Sequence, residues 1–195
     1  MAIDIKTIAV IGAGDCGREF ALALLLAGYG VILEDVSEDR LTQAVDWIAR
    51  EHSDLRLRLV LARTVEEAVR EADLIFEAVA DEMEMKIEMF TIFDKFAKPD
   101  AIFASSSTSI SIAELAAVTF CPERCIGMRL AAATGHMSLL EVVPSPDTSE
   151  ETLARCEGVA RRMGRQIMVN RDTGNGDSPQ GTQSAQRRIG TLPEL

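Results

Sequence analysis

The sequence predicts a single α/β domain built on a doubly wound, mainly parallel β-sheet. Short apolar runs of strand length alternate with amphipathic runs of helical length, which is the order expected of parallel strands joined by helices. A glycine-rich turn follows the first strand, and a serine cluster follows a later one. Because parallel strands end at one edge of a sheet, ligand contacts are expected there. Residues 1–172 are assigned to this domain, and residues 173–195, which are polar and have no apolar period, to a tail or extended loop.

The first strand, predicted over Lys6–Val10, leads into a G-x-G-x-x-G turn and an apolar helix over residues 17–27. In this motif Gly12 permits the tight bend, Gly14 lets the backbone approach a pyrophosphate, and Gly17 lets helix and strand pack closely. The start of the helix offers free N–H groups and a partial positive charge to an anion. The turn therefore predicts a Rossmann-type dinucleotide-binding site.

An acidic residue follows the second predicted strand. This strand, Tyr29–Leu33, is followed by Glu34 and Asp35, and Asp35 lies about 20 residues beyond the glycines, where an acid accepts hydrogen bonds from the adenosine ribose. Because a carboxylate repels a 2′-phosphate, the sequence predicts NAD rather than NADP.

The next elements follow from capping residues and hydrophobic periodicity. They are a helix from its N-cap Ser37 to Arg50, a half-buried strand in which leucines alternate from Leu55 to Leu61, a helix over Val65–Glu71 capped by Thr64, and a strand over Asp73–Val79 buried on both faces. A helix over residues 81–97 follows and ends before Pro99. Its methionines, Met85 and Met89, are interpreted as core residues.

The second half of the chain continues the alternation. The predicted elements are a strand over Ala101–Ala104, a polar run over Ser105–Ser109, a helix over residues 112–118, strands over Cys125–Leu130 and Leu139–Val143 flanking an irregular segment over Ala131–Ser138, a helix over Thr148–Met163 and a strand over Gln166–Val169. The polar run lies at the carboxyl end of its strand and is therefore a candidate for ligand contacts.

Composition excludes several classes of function. With 20 basic and 31 acidic residues the formal charge is −11, which is unsuited to a general binder of nucleic acid. Four cysteines without a C-x-x-C pair and only two histidines predict no metal site. The most apolar run, Phe20–Ala27, is too short to span a membrane, and a cytoplasmic protein with reduced thiols is expected. The cysteines are interpreted as small core residues, with Cys16 as the one candidate for reactivity.

Several blocks occur in the order of one enzyme family. They are the glycine turn followed by Leu26-Ala27-Gly28-Tyr29, Leu74-Ile75-Phe76-Glu77-Ala78-Val79 with Lys86, the serine cluster with Ile110-Ser111-Ile112, Pro122-Glu123-Arg124-Cys125-Ile126-Gly127-Met128, and Leu140-Glu141-Val142-Val143. Over residues 4–172 the chain resembles the NAD-binding domain of 3-hydroxyacyl-CoA dehydrogenases, including the 3-hydroxybutyryl-CoA enzymes. The turn, Asp35 and this resemblance together predict NAD as cofactor, with contacts from Gly12, Gly14, Asp15, Cys16, Gly17, Asp35, Ala78, Val79, Lys86 and Ser106.

The resemblance breaks at the catalytic position. In the family a histidine just after the I-G-M block is the general base, and a glutamate twelve residues later orients it. Here Glu141 is present, but position 129 holds Arg129, and an arginine side chain cannot accept a proton at neutral pH. The family's F-F-N-P after the base reads Leu130-Ala131-Ala132-Ala133. Of the family's N-T-S-S, Thr108 keeps a hydroxyl that the resemblance places near substrate.

Two further departures lie outside this position. The asparagine of the family's P-G-F-x-x-N-R falls on Pro179, and the family's helical second domain is expected to be replaced by the tail. The segment from Asp35 to Asp73 is shorter than the family's, which usually carries a helical hairpin for coenzyme A. These departures favour NAD binding over acyl-CoA oxidation.

Several roles have two interpretations. Glu77 and Lys86 either contact the cofactor or serve the fold, and the cluster around Thr108 is either a substrate contact or a polar turn. Glu141 is either catalytic or an ion-pair partner of Arg129. His136, in the irregular segment, is either a relocated base or an idle loop residue.

Two functions are compatible with these residues. The first is an NAD-dependent oxidoreductase of fatty acid metabolism that acts on a 3-hydroxyacyl thioester or another hydroxy or keto substrate through Thr108, Glu141 and His136. The second is a non-catalytic NAD(H)-binding module that regulates or scaffolds a partner. Neither requires nucleic acid or a membrane. Because the family dimerises through the second domain, an oligomer would need another surface.

Overall fold

The computed structural model describes residues 4–131 and 139–172. These residues form one eight-stranded sheet with helices on both faces. The strands are β1 (Thr7–Ile11), β2 (Gly30–Glu34), β3 (Leu59–Leu61), β4 (Leu74–Glu77), β5 (Ile102–Ser105), β6 (Cys125–Ala131), β7 (Leu139–Pro144) and β8 (Gln166–Val169). The α-helices are α1 (Asp15–Leu26), α2 (Glu38–Glu51), α3 (Val65–Val69), α4 (Met83–Phe96), α5 (Ile112–Ala116) and α6 (Glu150–Arg162), with short 3₁₀ helices at Ser53–Arg58 and Pro122–Arg124.

The strand order is β3-β2-β1-β4-β5-β6-β7-β8, and the first six strands of this order are parallel to one another. β7 runs antiparallel to β6, and β8 runs parallel to β7. The order reverses between β1 and β4, so the loops after these two strands diverge to opposite sides of the sheet. That divergence opens a crevice at the carboxyl edge, which is where doubly wound sheets bind their ligands.

Apolar side chains cover both faces of the sheet. One core lies under α1, α2 and α6, where Phe20 of α1 stacks on Phe76 of β4 with ring centroids 3.7 Å apart. The other lies under α3, α4 and α5 and contains Phe90, Phe93 and Phe103 in edge-on contact. β1 and β4 pair side by side between these two cores.

The structure corrects two predictions of detail. The alternating leucines do not form one strand, because residues 53–58 wind into a 3₁₀ helix and only Leu59–Leu61 are extended. Leu57 is consequently 94% exposed, whereas Leu55 and Leu59 are buried. The second correction concerns Met85, which is exposed because α4 turns Lys86, Phe90 and Phe93 toward the sheet instead.

The other elements agree with the predicted order, with ends shifted by one to a few residues. Ser37, Thr64, Ser111 and Ser149 each accept a hydrogen bond from a backbone N–H in the first turn of the helix that they precede. Cys121, Cys125 and Cys156 are buried, as predicted, whereas Cys16 is exposed. His136 and the tail over residues 173–195 lie outside the described residues. Within the described part of the chain, no helix is long and apolar enough to cross a membrane.

Candidate dinucleotide-binding site

Two of the three motif glycines are required by close contacts at the end of β1. Gly12 has φ of +100°, donates its N–H to the Glu34 carbonyl at 2.8 Å, and would place a Cβ 2.7 Å from the Ala78 carbonyl oxygen. A Cβ on Gly17 would lie 1.8 Å from the carbonyl oxygen of Gly12. These contacts leave no room for a side chain, so glycine is required for α1 to start directly against the strand.

Gly14 differs from the other two glycines. It is the N-cap of α1, and no described atom lies within 4 Å of where its Cβ would be. Its side of the turn is therefore open, and no side-chain hydrogen bond caps this helix start within the described part of the chain. An uncapped helix N-terminus beside an open glycine fits the pyrophosphate of a dinucleotide.

The two residues between the last glycines lie at the rim of this opening. The Asp15 side chain is 85% exposed and pairs with Arg18 at 2.8 Å. The pKa of the Cys16 thiol is raised by desolvation and by the carboxylates of Glu19 and Glu77. Because the thiolate is the reactive form, this shift argues against the reactivity predicted for Cys16.

Asp35 lies just beyond β2, beside the glycine turn, and is buried. Its Oδ2 accepts from the N–H of Ala13 at 2.8 Å, its Oδ1 accepts from the N–H of Ser37 at 2.8 Å, and Arg40 binds both oxygens. Burial alone would raise the pKa of Asp35, but these hydrogen bonds outweigh it and hold the pKa below its ordinary value. The structure places this carboxylate beside the glycine turn, and its contact with the adenosine ribose stays a prediction.

The other wall of the crevice is the end of β4. Ala78 donates its N–H to the Ile11 carbonyl at 2.8 Å, and Ala78 and Val79, which follow β4, are partly exposed. Glu77 and Lys86 are fully buried, with Lys86 Nζ 2.7 and 2.8 Å from the two carboxylate oxygens. Glu77 also accepts from Ser105 Oγ at 2.8 Å.

This buried pair ties α4 to the end of β4. Burial raises the pKa of Glu77 despite the neighbouring Lys86. Because neither side chain is accessible, the geometry supports the structural interpretation of the pair, and a direct contact between Lys86 and the cofactor stays a prediction.

The serine cluster after β5 is organised by Asp81, a residue that the sequence reading did not single out. Asp81 accepts from Ser107 Oγ at 2.5 Å, from Ser109 Oγ at 2.9 Å and from the Thr108 N–H at 3.3 Å. Ser106 donates its N–H to the Glu77 carbonyl at 3.0 Å, so the loop continues directly from the β4–β5 pairing. The signal for Asp81 was its position just beyond a buried strand, at the same sheet edge as the serines.

Arg129 and Glu141 are register partners on β6 and β7. Arg129 Nη1 lies 3.4 Å from Glu141 Oε2, and its Nε donates a hydrogen bond to the Ser107 carbonyl. Glu141 also accepts from the side-chain amide of Asn170, which the sequence reading missed. The predicted ion pair is therefore formed, and it joins the hairpin to the serine loop.

The described parts of the chain hold no group of three or more His, Cys, Asp and Glu side chains that could bind a metal ion. These parts bring together the open start of α1, the buried Asp35 carboxylate beside the glycine turn and the polar loop after β5, all at the carboxyl edge of the sheet. This combination of fold and site defines a Rossmann-type dinucleotide-binding domain.

Comparison with known proteins makes the assignment more specific. The family described as 3-hydroxyacyl-CoA dehydrogenase, NAD binding domain, matches residues 7–173, and the chain belongs to this family. NAD is therefore the dinucleotide of this site, and the predicted resemblance is confirmed.

Individual relatives agree with this assignment. The chain is 34% identical over 186 residues to a 3-hydroxybutyryl-CoA dehydrogenase of Bradyrhizobium diazoefficiens, covering 88% of this chain and 63% of that protein. It is 34% identical over 177 residues to a probable 3-hydroxybutyryl-CoA dehydrogenase of Bacillus subtilis, covering 84% and 61%. The crystal structure of 3-hydroxybutyryl-CoA dehydrogenase from Escherichia coli K12 superposes with a TM-score of 0.80 at 28% identity, covering 88% of this chain and 39% of that one. The chain thus spans about three fifths of the length of these two curated relatives.

Proposed function

We propose that this chain binds NAD(H) with an altered catalytic centre, in which dinucleotide binding is kept and the family's abstraction of a hydroxyl proton is not. The observation that carries the proposal is Arg129, which stands at the base position and is fastened to the Ser107 carbonyl and to Glu141. A guanidinium stays protonated at any physiological pH and therefore cannot accept a proton.

The surrounding groups support the same proposal. Glu141 holds both Arg129 and Asn170, so its carboxylate is engaged in structure. The residues that would hold NAD are the open helix start at Gly14, the turn glycines and Asp35 on one side, with Ala78, Val79 and Ser106 on the other. Bound NAD supplies a hydride acceptor, but oxidation of an alcohol also needs a group that takes the hydroxyl proton.

The second candidate is an oxidoreductase that acts on a hydroxy or keto substrate. It is favoured by Thr108, whose exposed hydroxyl lies at the end of β5 beside Asp81. In this version Arg129 would hydrogen-bond a substrate carboxylate or carbonyl, and Glu141 and His136 would handle the proton. The substrate class, a 3-hydroxyacyl thioester or another hydroxy or keto compound, comes from the family and from the names of the relatives.

Two measurements separate the candidates. Calorimetric titration with NAD and NADH tests binding, and the absorbance of NADH tests turnover with a panel of 3-hydroxyacyl and 3-ketoacyl thioesters. The first candidate function predicts that NAD and NADH bind and that no thioester is turned over. Turnover that is abolished in Glu141→Gln, with NADH binding retained, would contradict it and support the second. Absence of binding to either dinucleotide would contradict both.

A further inference from the structure

The hydrogen-bonding capacity of Asp35 is already used within the chain. An ionised carboxylate has about four lone-pair sites. Backbone N–H groups of Ala13 and Ser37 occupy one site on each oxygen. Arg40 covers the remainder, with Nε at 2.9 and 3.0 Å from the two oxygens and Nη2 at 2.8 Å from Oδ1. A ribose hydroxyl can bind this carboxylate only by displacing one of these donors.

Arg40 is the donor that can be displaced. The N–H groups of Ala13 and Ser37 belong to the glycine turn and to the residue that caps α2, so their positions are set by the backbone. The Arg40 side chain is 51% exposed, whereas that of Asp35 is 6% exposed. Arg40 therefore competes with the ribose diol of NAD for one carboxylate.

Arg40 also changes the charge that a cofactor meets at this position. An unpaired Asp35 would repel a 2′-phosphate, but the guanidinium neutralises it and carries N–H groups beyond those on Nε and Nη2 that bind Asp35. Arginine binds phosphate through paired hydrogen bonds, and an arginine beside the ribose is how related sites accommodate NADP.

We infer that Arg40 sets the cofactor selectivity of this site, weakening NAD by competing for Asp35 and admitting NADP by binding its 2′-phosphate. The inference rests on the proposed NAD(H) binding and adds to it a residue that controls which dinucleotide is accepted. The preference for NAD over NADP should therefore be smaller than the preference that Asp35 would impose without Arg40.

The test is titration of NAD and NADP, at one ionic strength, into the wild-type chain and Arg40→Gln. Arg50→Gln is the matched control, since Arg50 is exposed at the far end of the same helix and its loss changes the net charge equally. We expect Arg40→Gln to bind NADP at least fivefold more weakly and NAD more tightly, and unchanged NAD affinity would contradict the competition for Asp35. The dissociation constant for NADP divided by that for NAD should therefore rise at least fivefold in Arg40→Gln. The same ratio should not change in Arg50→Gln.

Each other outcome contradicts the inference in a recognisable way. A rise in the ratio of less than fivefold, or equal weakening of both dinucleotides, means that Arg40 serves only the fold of the turn. Wild-type protein that binds NAD but shows no NADP binding means that Arg40 does not admit the phosphate. Wild-type protein that binds neither dinucleotide refutes the proposed function and this inference together. Arg40→Lys should fall between wild type and Arg40→Gln, because it keeps the charge without the fork geometry.

Discussion

Glycine occurs at the three motif positions for two different physical reasons. Gly12 and Gly17 are needed by the fold, because a Cβ at either position would collide with backbone carbonyl oxygens. Gly14 faces open space and has φ of −65°, which any residue can adopt. The fold therefore does not require glycine at this position, and the approach of a pyrophosphate to the backbone stays the predicted reason for it.

This difference predicts separable effects of two alanine substitutions. Gly17→Ala should lower the free energy of unfolding by about 3 kcal/mol or more, because helix and strand must move apart. Gly14→Ala should leave stability within about 1 kcal/mol of wild type but weaken NAD at least tenfold, because its methyl group occupies the opening. Urea unfolding and calorimetry measure the two quantities. Unchanged NAD affinity in Gly14→Ala would contradict the placement of the pyrophosphate.

Glu34 is a buried carboxyl group beside the site. Burial, with smaller contributions from Asp35 and Glu66, raises the pKa of Glu34 to about 7, above its ordinary value of 4.5. The folded state therefore binds this proton more tightly than the unfolded state. The associated stability is complete below pH 4.5, falls as the pH rises toward 7, and is constant above that.

Glu34→Gln should remove this dependence. Between pH 5 and pH 8 the wild-type chain should lose about 2 kcal/mol of unfolding free energy that the variant keeps. Urea unfolding at the two pH values measures the difference, with Glu88→Gln, at an exposed position of α4, as control. Parallel pH profiles for wild type and Glu34→Gln would show that Glu34 titrates at its ordinary value.

At the scale of secondary-structure elements, α4 is joined to the end of β4 by a buried ion pair. Lys86 and Glu77 have no exposed side-chain area, and Glu77 is also bonded to Ser105 and to the Val79 N–H. Removing one partner of such a pair leaves an uncompensated charge in the core, which is far more costly than removing both.

Lys86→Met should therefore lower the unfolding free energy by about 3 kcal/mol or more. Adding Glu77→Gln should recover part of this loss, because the stranded carboxylate is then neutral. Denaturant unfolding of the two single variants and the double variant gives the coupling energy. Lys95→Met, at an exposed position of the same helix, should cost less than about 1 kcal/mol, and a double variant as unstable as the sum of its parts would contradict this account.

At the scale of the whole molecule, the crevice exists because the strand order reverses between β1 and β4. The glycine turn lies on one side of this point and the serine loop with Asp81 on the other. Both sides belong to one sheet with two continuous cores, so a ligand that bridges them stabilises the whole domain and not one loop.

NAD should accordingly raise the thermal midpoint. A ligand at about 100 times its Kd adds about 2.7 kcal/mol, which for a domain of this size is about 5–10 °C. Differential scanning fluorimetry across a series of NAD concentrations measures the shift. Gly14→Ala should show little or none at the same concentration, and an equal shift in both proteins would indicate binding elsewhere.

The sequence by itself determined the class of fold and the family, and it predicts the NAD contacts and the replacement of the base by Arg129, because each depends on local signals. Gly12, Gly14 and Gly17 followed by Asp35 form a motif whose spacing is set by one strand-turn-helix unit, and Arg129 is read directly from its place in a block. The caps at Ser37 and Thr64 were predictable for the same reason, since a cap bonds only to the next few residues.

Only the tertiary structure decided which of these groups are free to act. Alternating leucines over 55–61 predicted a strand, whereas packing against α1 and α2 buries Leu55 and leaves Leu57 exposed in a 3₁₀ helix. Three contacts depend on side-chain geometry that local patterns do not show. Arg40 binds Asp35, Lys86 is buried with Glu77, and Asp81 accepts hydrogen bonds from the serine loop. Local patterns report which residue types are present, whereas the partner that each charge finds depends on how the strands are ordered and how the helices pack.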